Sequence, residues 1–103
     1  MYITGSLRKS FDAVKKLFKI TVSGRVQGVF YRDSARQTAQ ELGIAGFVRN
    51  QPDGTVYIEA EGEEKYLREL VRWCRRGPQW AHVESVEVEK GEPAGYTEFE
   101  SKG

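Results

Sequence analysis

Apolar and polar positions alternate from Phe18 to Ser23, with Phe18, Ile20 and Val22 on one face and Lys19, Thr21 and Ser23 on the other. That is the period of a half-buried strand. Past Gly24 and Gly28, two glycines that let the backbone bend, the period lengthens. Ala35, Ala39 and Leu42 recur at helical spacing, so a helix is expected from about Tyr31 to Leu42, closed by Gly43 as a left-handed cap residue. Two short strands follow, Gly46–Asn50 and Thr55–Ala60, separated by Gln51-Pro-Asp-Gly. Pro52 presets the first central position of that turn and Gly54 supplies a positive φ, while Val56, Ile58 and Ala60 share one face of the returning strand. Residues 46 to 60 therefore read as a hairpin with one buried face.

Gly62 opens a second helix. Glu63 and Glu64 sit in its first turn and Arg72, Arg75 and Arg76 in its last, each set complementing the helix dipole. Leu67, Leu70, Val71 and Cys74 follow the i, i+3, i+4, i+7 pattern of a buried face, and Gly77-Pro78 ends the helix. A fourth strand is expected from about His82 to Glu89. Val83 is out of phase with Val86 and Val88, which calls for a bulge or a late start near Glu84. The tail adds a short edge strand through Phe99. Residues 1–16 read as an N-terminal extension, mobile or loosely docked, before one domain over residues 17–103. Ser10 offers a cap there for a short helix with Phe11, Val14 and Leu17 on one face.

Strand, helix, strand, strand, helix, strand is the order of an α+β, ferredoxin-like βαββαβ sandwich: an antiparallel sheet with two helices on one face. The first two strands then run parallel with the third between them, because the crossover helix carries the chain back with right-handed connectivity. Their C-terminal ends lie at the same edge of the sheet, about 10 Å apart at two strand spacings. The first ends at the glycine loop and the second at Arg49-Asn50. Arg32 and Asn50 become neighbours across one shallow site.

Composition narrows the chemistry. A chain of 103 residues with 39% hydrophobic content suits one domain, and sixteen basic against fifteen acidic residues leave a net charge of +1. Nothing in that balance calls for nucleic acid or an anionic membrane, so any anion must be recognised locally. Cys74 is the single cysteine, which excludes an internal disulfide and fits a reducing cytoplasm. The sequence contains no apolar run approaching the ~18 residues of a membrane span. A soluble, cytoplasmic monomer is expected.

The loop before the first helix carries the polar groups least explained by packing. Free N–H groups of a first helical turn, with the positive end of the dipole behind them, form an anion site, and Arg32 adds a planar fork of donors matched to phosphate oxygens. The loop lacks the Gly-Lys-Ser/Thr of a nucleotide P-loop and does not reproduce the dinucleotide fingerprint. A cysteine phosphatase needs Cys-x5-Arg, but the sixth residue after Cys74 is Trp80. Three scattered aspartates, at 12, 33 and 53, and a lone histidine give no convincing metal cluster or Ser-His-Asp triad. His82 reads as a solvated edge residue, Cys74 as a small hydrophobe, and Tyr31 and Phe30 as packing residues flanking the loop, with either one a candidate to line an acyl pocket. Asp33 beside an anion is expected to turn outward toward Arg36.

Gly24-Arg-Val-Gln-Gly-Val-Phe-Tyr-Arg32 resembles the first signature of the acylphosphatase family, and Gly46-Phe-Val-Arg-Asn50-Gln-Pro-Asp-Gly-Thr-Val56 resembles its second. With less detail the resemblance runs from about Phe18 to Phe99. It implies the same ferredoxin-like fold and a hydrolase of small acyl phosphates. It implies further that Arg32 binds the phosphoryl group, that Gln27, Gly28, Val29, Phe30 and Tyr31 cradle it through backbone N–H groups, and that Asn50 holds the attacking water. Residues 1–16 precede the usual family start and Glu100-Ser-Lys-Gly extends past Phe99, departures that leave the site intact. Such a reaction needs charge stabilisation and a positioned water, with no cofactor or metal. The competing reading is a non-catalytic ferredoxin-like module binding RNA or protein. Against it, Tyr57 is the one aromatic residue expected on the solvent side of the third strand.

Overall fold

The strand begins two residues before Phe18, and β1 (Lys16–Arg25) also buries Leu17, next to Phe18 and on the opposite face of the sheet. The computed structural model describes residues 14–103. The extension before residue 14 and the Ser10 cap lie outside the described residues; Leu17, expected on a helix, is in a strand. After β1 come α1 (Tyr31–Glu41), β2 (Ala45–Asn50), β3 (Val56–Gly62), α2 (Glu64–Arg76), β4 (His82–Gly91) and β5 (Phe99–Lys102). The order across the sheet is β4-β1-β3-β2-β5.

Both helices lie on the face that carries Phe18, Ile20, Val22, Val48, Val56 and Ile58. Ala35 and Ala39 of α1 and Leu67, Leu70 and Cys74 of α2 close the core over them. Each large aliphatic side chain buried there contributes roughly 1.5–3 kcal/mol, which holds two short helices that would be marginal alone. Among the described residues no helix is long and apolar enough to cross a membrane.

The phase break in β4 is a bulge. Ser23 pairs with Ser85 and Gly24 with Val83, leaving Glu84 as the extra residue. Gly24 is consequently not a loop residue: it lies inside β1 with φ 123, where a β-carbon would sit 2.2 Å from the His82 carbonyl oxygen. Close approach to β4 requires glycine there.

The sheet is mixed, which corrects the antiparallel expectation. β5 reaches the edge opposite β4 and pairs parallel with β2, Gly46 against Phe99 and Arg49 against Lys102. Its direction is set by the connection that precedes it. Glu61, 5% exposed at the end of β3, accepts the N–H groups of Ala94 at 2.8 Å and Gly95 at 3.0 Å. That carboxylate pins the crossing at the sheet end away from Asn50, so β5 runs back toward Asn50.

The other face of the sheet is partly covered as well. Phe47 is only 8% exposed, flanked by the rings of Tyr57 and Tyr96 with centroids 6.0 Å away in each case. The guanidinium of Arg49 and the ammonium of Lys102 lie over it at 5.6 and 4.5 Å. Both tyrosine hydroxyls donate to Glu59, each at 2.6 Å.

Candidate active site

Two valines anchor the loop between β1 and α1. Val26 is buried and Val29 packs against the core, which leaves the backbone between and after them to turn. Gly28 takes φ 74, and Phe30, at the cap position of α1, takes φ 65 and ψ 23 with no capping side chain. A left-handed residue followed by the right-handed Tyr31 turns successive N–H groups toward one side, the geometry of an anion-binding nest. Among the described residues, no acceptor meets the N–H groups of Gly28 through Asp33. The first intrahelical bond is the donation from Ser34 N–H to the Phe30 carbonyl at 3.1 Å.

Gln27 joins this loop to the hairpin. Its side-chain Nε2 donates to the carbonyl oxygens of Gln51, at 2.8 Å, and Thr55, at 2.9 Å. The turn is itself braced, because Asp53 accepts both the N–H and the hydroxyl of Thr55, and those bonds hold the Asp53 carboxyl below its ordinary value. Asn50 immediately precedes the clamped segment. Its Oδ1 is buried and has no hydrogen-bond partner among the described residues. Gly28, Phe30, Arg32, Asn50 and Ser101 line one shallow cavity of about 280 Å³.

Arg32 enters this cavity from the first turn of α1. Its Nη1 donates to the main-chain carbonyl of Lys102 at 2.6 Å, so β5 holds one arm of the guanidinium and fixes its plane. Asp33 is turned aside onto Arg36, with Oδ1 2.9 Å from Nη2. An exposed helix pair of this kind contributes only a few tenths of a kcal/mol. Its consequence is electrostatic, since the carboxylate nearest the cradle is already engaged with a cation.

The topology brings Gly28, Phe30, Tyr31, Arg32 and Asn50 to one cavity, the juxtaposition of loop and strand end that the sequence led one to expect. Gln27, expected in the cradle through its backbone N–H, also carries a side-chain role that the sequence did not announce: Nε2 serves the hairpin. Tyr31 is a core residue, its hydroxyl donating to the Cys74 carbonyl at 2.8 Å and its ring 5.1 Å from that of Trp73. Burial, then the neighbouring Cys74, raises the Tyr31 phenol above its ordinary range. Burial likewise pushes the Cys74 thiol up to about 12, which makes it no nucleophile at neutral pH. Phe30, in contrast, is exposed and packs on nothing in the core, so its reading as a packing residue is corrected. The Lys102 carbonyl and Ser101 were not anticipated. The one available signal was the edge strand through Phe99, whose partner the local pattern does not name.

The family model described as Acylphosphatase matches residues 18–101. An acylphosphatase of Rubrobacter xylanophilus is 58% identical over 79 residues, 77% of this chain and 71% of that one. One from a Nocardioides species is 45% identical over 95 residues, 92% of this chain and 89% of that one. Among solved structures, an acylphosphatase from Coxiella burnetii superposes with a TM-score of 0.83 at 38% identity, covering 85% of this chain and 93% of that one. The matched stretch contains both segments that build the cavity and β5 as far as Ser101, and the chain belongs to the acylphosphatase family.

Proposed function

We propose that this enzyme hydrolyses the carboxyl–phosphate anhydride of small acyl phosphates by direct in-line attack of water, with Arg32 and the loop amides on the phosphoryl group and Asn50 on the water. One observation carries the assignment of roles: the Asn50 side chain, whose buried Oδ1 has no hydrogen-bond partner among the described residues, lines the same cavity as Arg32 and the unmet N–H groups. A buried acceptor without a donor costs about 1–3 kcal/mol. A half-turn of the amide puts Oδ1 on the cavity side, where a water donating to it relieves that cost and keeps a lone pair for the phosphorus.

The chemistry asks little more of the protein. Water adds to phosphorus as the phosphorus–oxygen bond to the acyl group breaks. The bond pair leaves on the carboxylate, and both water protons end on dihydrogen phosphate. A carboxylate is a good leaving group and needs no proton donor. The transition state of phosphoryl transfer is loose, with charge spread over the equatorial oxygens, so preorganised donors and positioning supply the rate. The free nitrogens of the Arg32 fork and the amides of residues 28 to 31 are such donors. Gln27 contributes its backbone N–H to the edge of the cradle and its side chain to the placement of Asn50.

The near-neutral charge and the buried lone cysteine support a monomer working in a reducing cytoplasm without a nucleic-acid partner. The test is turnover of benzoyl phosphate by the purified protein with and without a chelator. Equal hydrolysis in both is expected; an inert protein would overturn the proposal.

A further inference from the structure

Phe30 is the residue at the site whose side chain this chemistry does not use. Phe30 is 75% exposed, the most exposed of the large hydrophobic residues among the described residues. Its φ of 65 is a conformation that glycine or asparagine adopts more readily. The position is also the N-cap of α1, where a serine or aspartate side chain would satisfy a helix amide and phenylalanine satisfies none. Strain, a missing cap and an exposed ring coincide at one position. Nothing inside the protein offsets them: the ring joins no aromatic pair among the described residues, and the core space beside it is filled by Tyr31.

What the ring does have is the cavity. Phe30 lines it together with Arg32, Asp33, Asn50 and Ser101, all polar. Val26 and Tyr31 also border it but are each 1% exposed and offer almost no surface. An acyl phosphate has a charged half and a carbon half. The amides and Arg32 take the first, and Phe30 is the apolar surface left for the second.

We infer that the Phe30 side chain is the acyl-side contact of this enzyme and favours acyl phosphates with an aromatic or extended apolar acyl group over acetyl-sized ones. The inference rests on the phosphate-cradle reading of the loop. Val26 and Val29 anchor the loop backbone that carries the ring, so little backbone ordering is needed on binding.

The experiment compares kcat/KM for benzoyl phosphate and acetyl phosphate in the wild type, Phe30→Ala and Phe30→Asn, with inhibition by inorganic phosphate measured alongside. Phe30→Asn suits the left-handed backbone and guards against a collapsed loop. Any loss common to both substrates cancels in their ratio. The benzoyl-to-acetyl ratio is expected to fall about five- to tenfold in both variants, the size of one aromatic contact. Trp80→Ala removes a ring that is 66% exposed but does not line the cavity, and leaves the ratio unchanged. An unaltered ratio in both Phe30 variants would overturn the inference while leaving the cradle standing. Failure of inorganic phosphate to compete with substrate in the wild type would instead remove the cradle reading, and this inference with it.

Discussion

The side-chain nitrogen of Gln27 lies 2.8 Å from the carbonyl oxygen of Gln51, and this bond ties the loop between β1 and α1 to the hairpin that carries Asn50. A second bond from the same nitrogen, to the Thr55 carbonyl at 2.9 Å, closes the clamp on both sides of the turn. The two halves of the site therefore move as one body. Gln27→Met keeps the volume and removes both donations. Stability is expected to fall by about 1–3 kcal/mol for the carbonyls left without a donor, measured by urea unfolding. kcat is expected to fall about tenfold or more, with phosphate inhibition changed less, because a misplacement near 1 Å at the water costs up to about a hundredfold. Equal losses in kcat and phosphate affinity would show that the side chain serves the phosphate cradle and not the placement of Asn50.

Arg32 depends on backbone, not on a side chain, at the other end of the protein. Since the acceptor is the carbonyl of Lys102, Lys102→Ala preserves it and removes only the ammonium over Phe47, a loss near 0.5 kcal/mol in stability. Truncation after Ser101 removes the carbonyl itself. Near-normal kcat/KM is expected for the substitution, and a several-fold rise in both KM and the phosphate inhibition constant for the truncation. The reverse ranking would contradict the role given to β5.

Glu59 between two tyrosines makes stability depend on pH at both ends of the scale. Hydrogen bonds from Tyr57 and then Tyr96 hold its carboxyl below the ordinary 4.5, so that contribution is present above pH 4.5 and is lost as pH falls below it. The bond to Glu59, with burial, pushes Tyr96 from 10.0 up to about 12; burial and then Glu59 raise Tyr57. The tyrosine contributions are present below pH 10 and are lost as pH rises toward 12. The stability gap between the wild type and Tyr96→Phe, about 1 kcal/mol for a partly exposed bond, is expected to be widest between about pH 5 and pH 9. It narrows beyond either limit in urea titrations. A gap that does not vary with pH would show that the hydroxyl bond contributes nothing.

Local period carried the core of this fold: Phe18, Ile20 and Val22 in β1, Val56, Ile58 and Ala60 in β3, and the apolar face of α2 all lie where the sequence places them. Even the phase error at Val83 surfaced as the Glu84 bulge. The pairing of Arg32 with Asn50 followed from topology, since two parallel strands must end at one edge. What stayed hidden depends on partners far along the chain. The direction of β5 follows from Glu61 holding Ala94 and Gly95, a contact 33 positions long. Gln27 finds Gln51 across 24 positions, and Phe47 is buried on the outer face by a tail whose Tyr96 and Lys102 show no strong period of their own. Phe30 is the instructive case: the sequence left Phe30 and Tyr31 alike as packing residues with one of them a candidate for the pocket, and only the backbone conformation tells the exposed ring from the buried one.

The most direct test of the account is the turnover of Asn50→Ala on benzoyl phosphate, read together with its inhibition by inorganic phosphate. If Asn50 orients the attacking water while the amides and Arg32 bind the phosphoryl group, kcat falls about 100- to 1000-fold and the phosphate inhibition constant stays within about threefold of the wild type. A kcat near that of the wild type would contradict it.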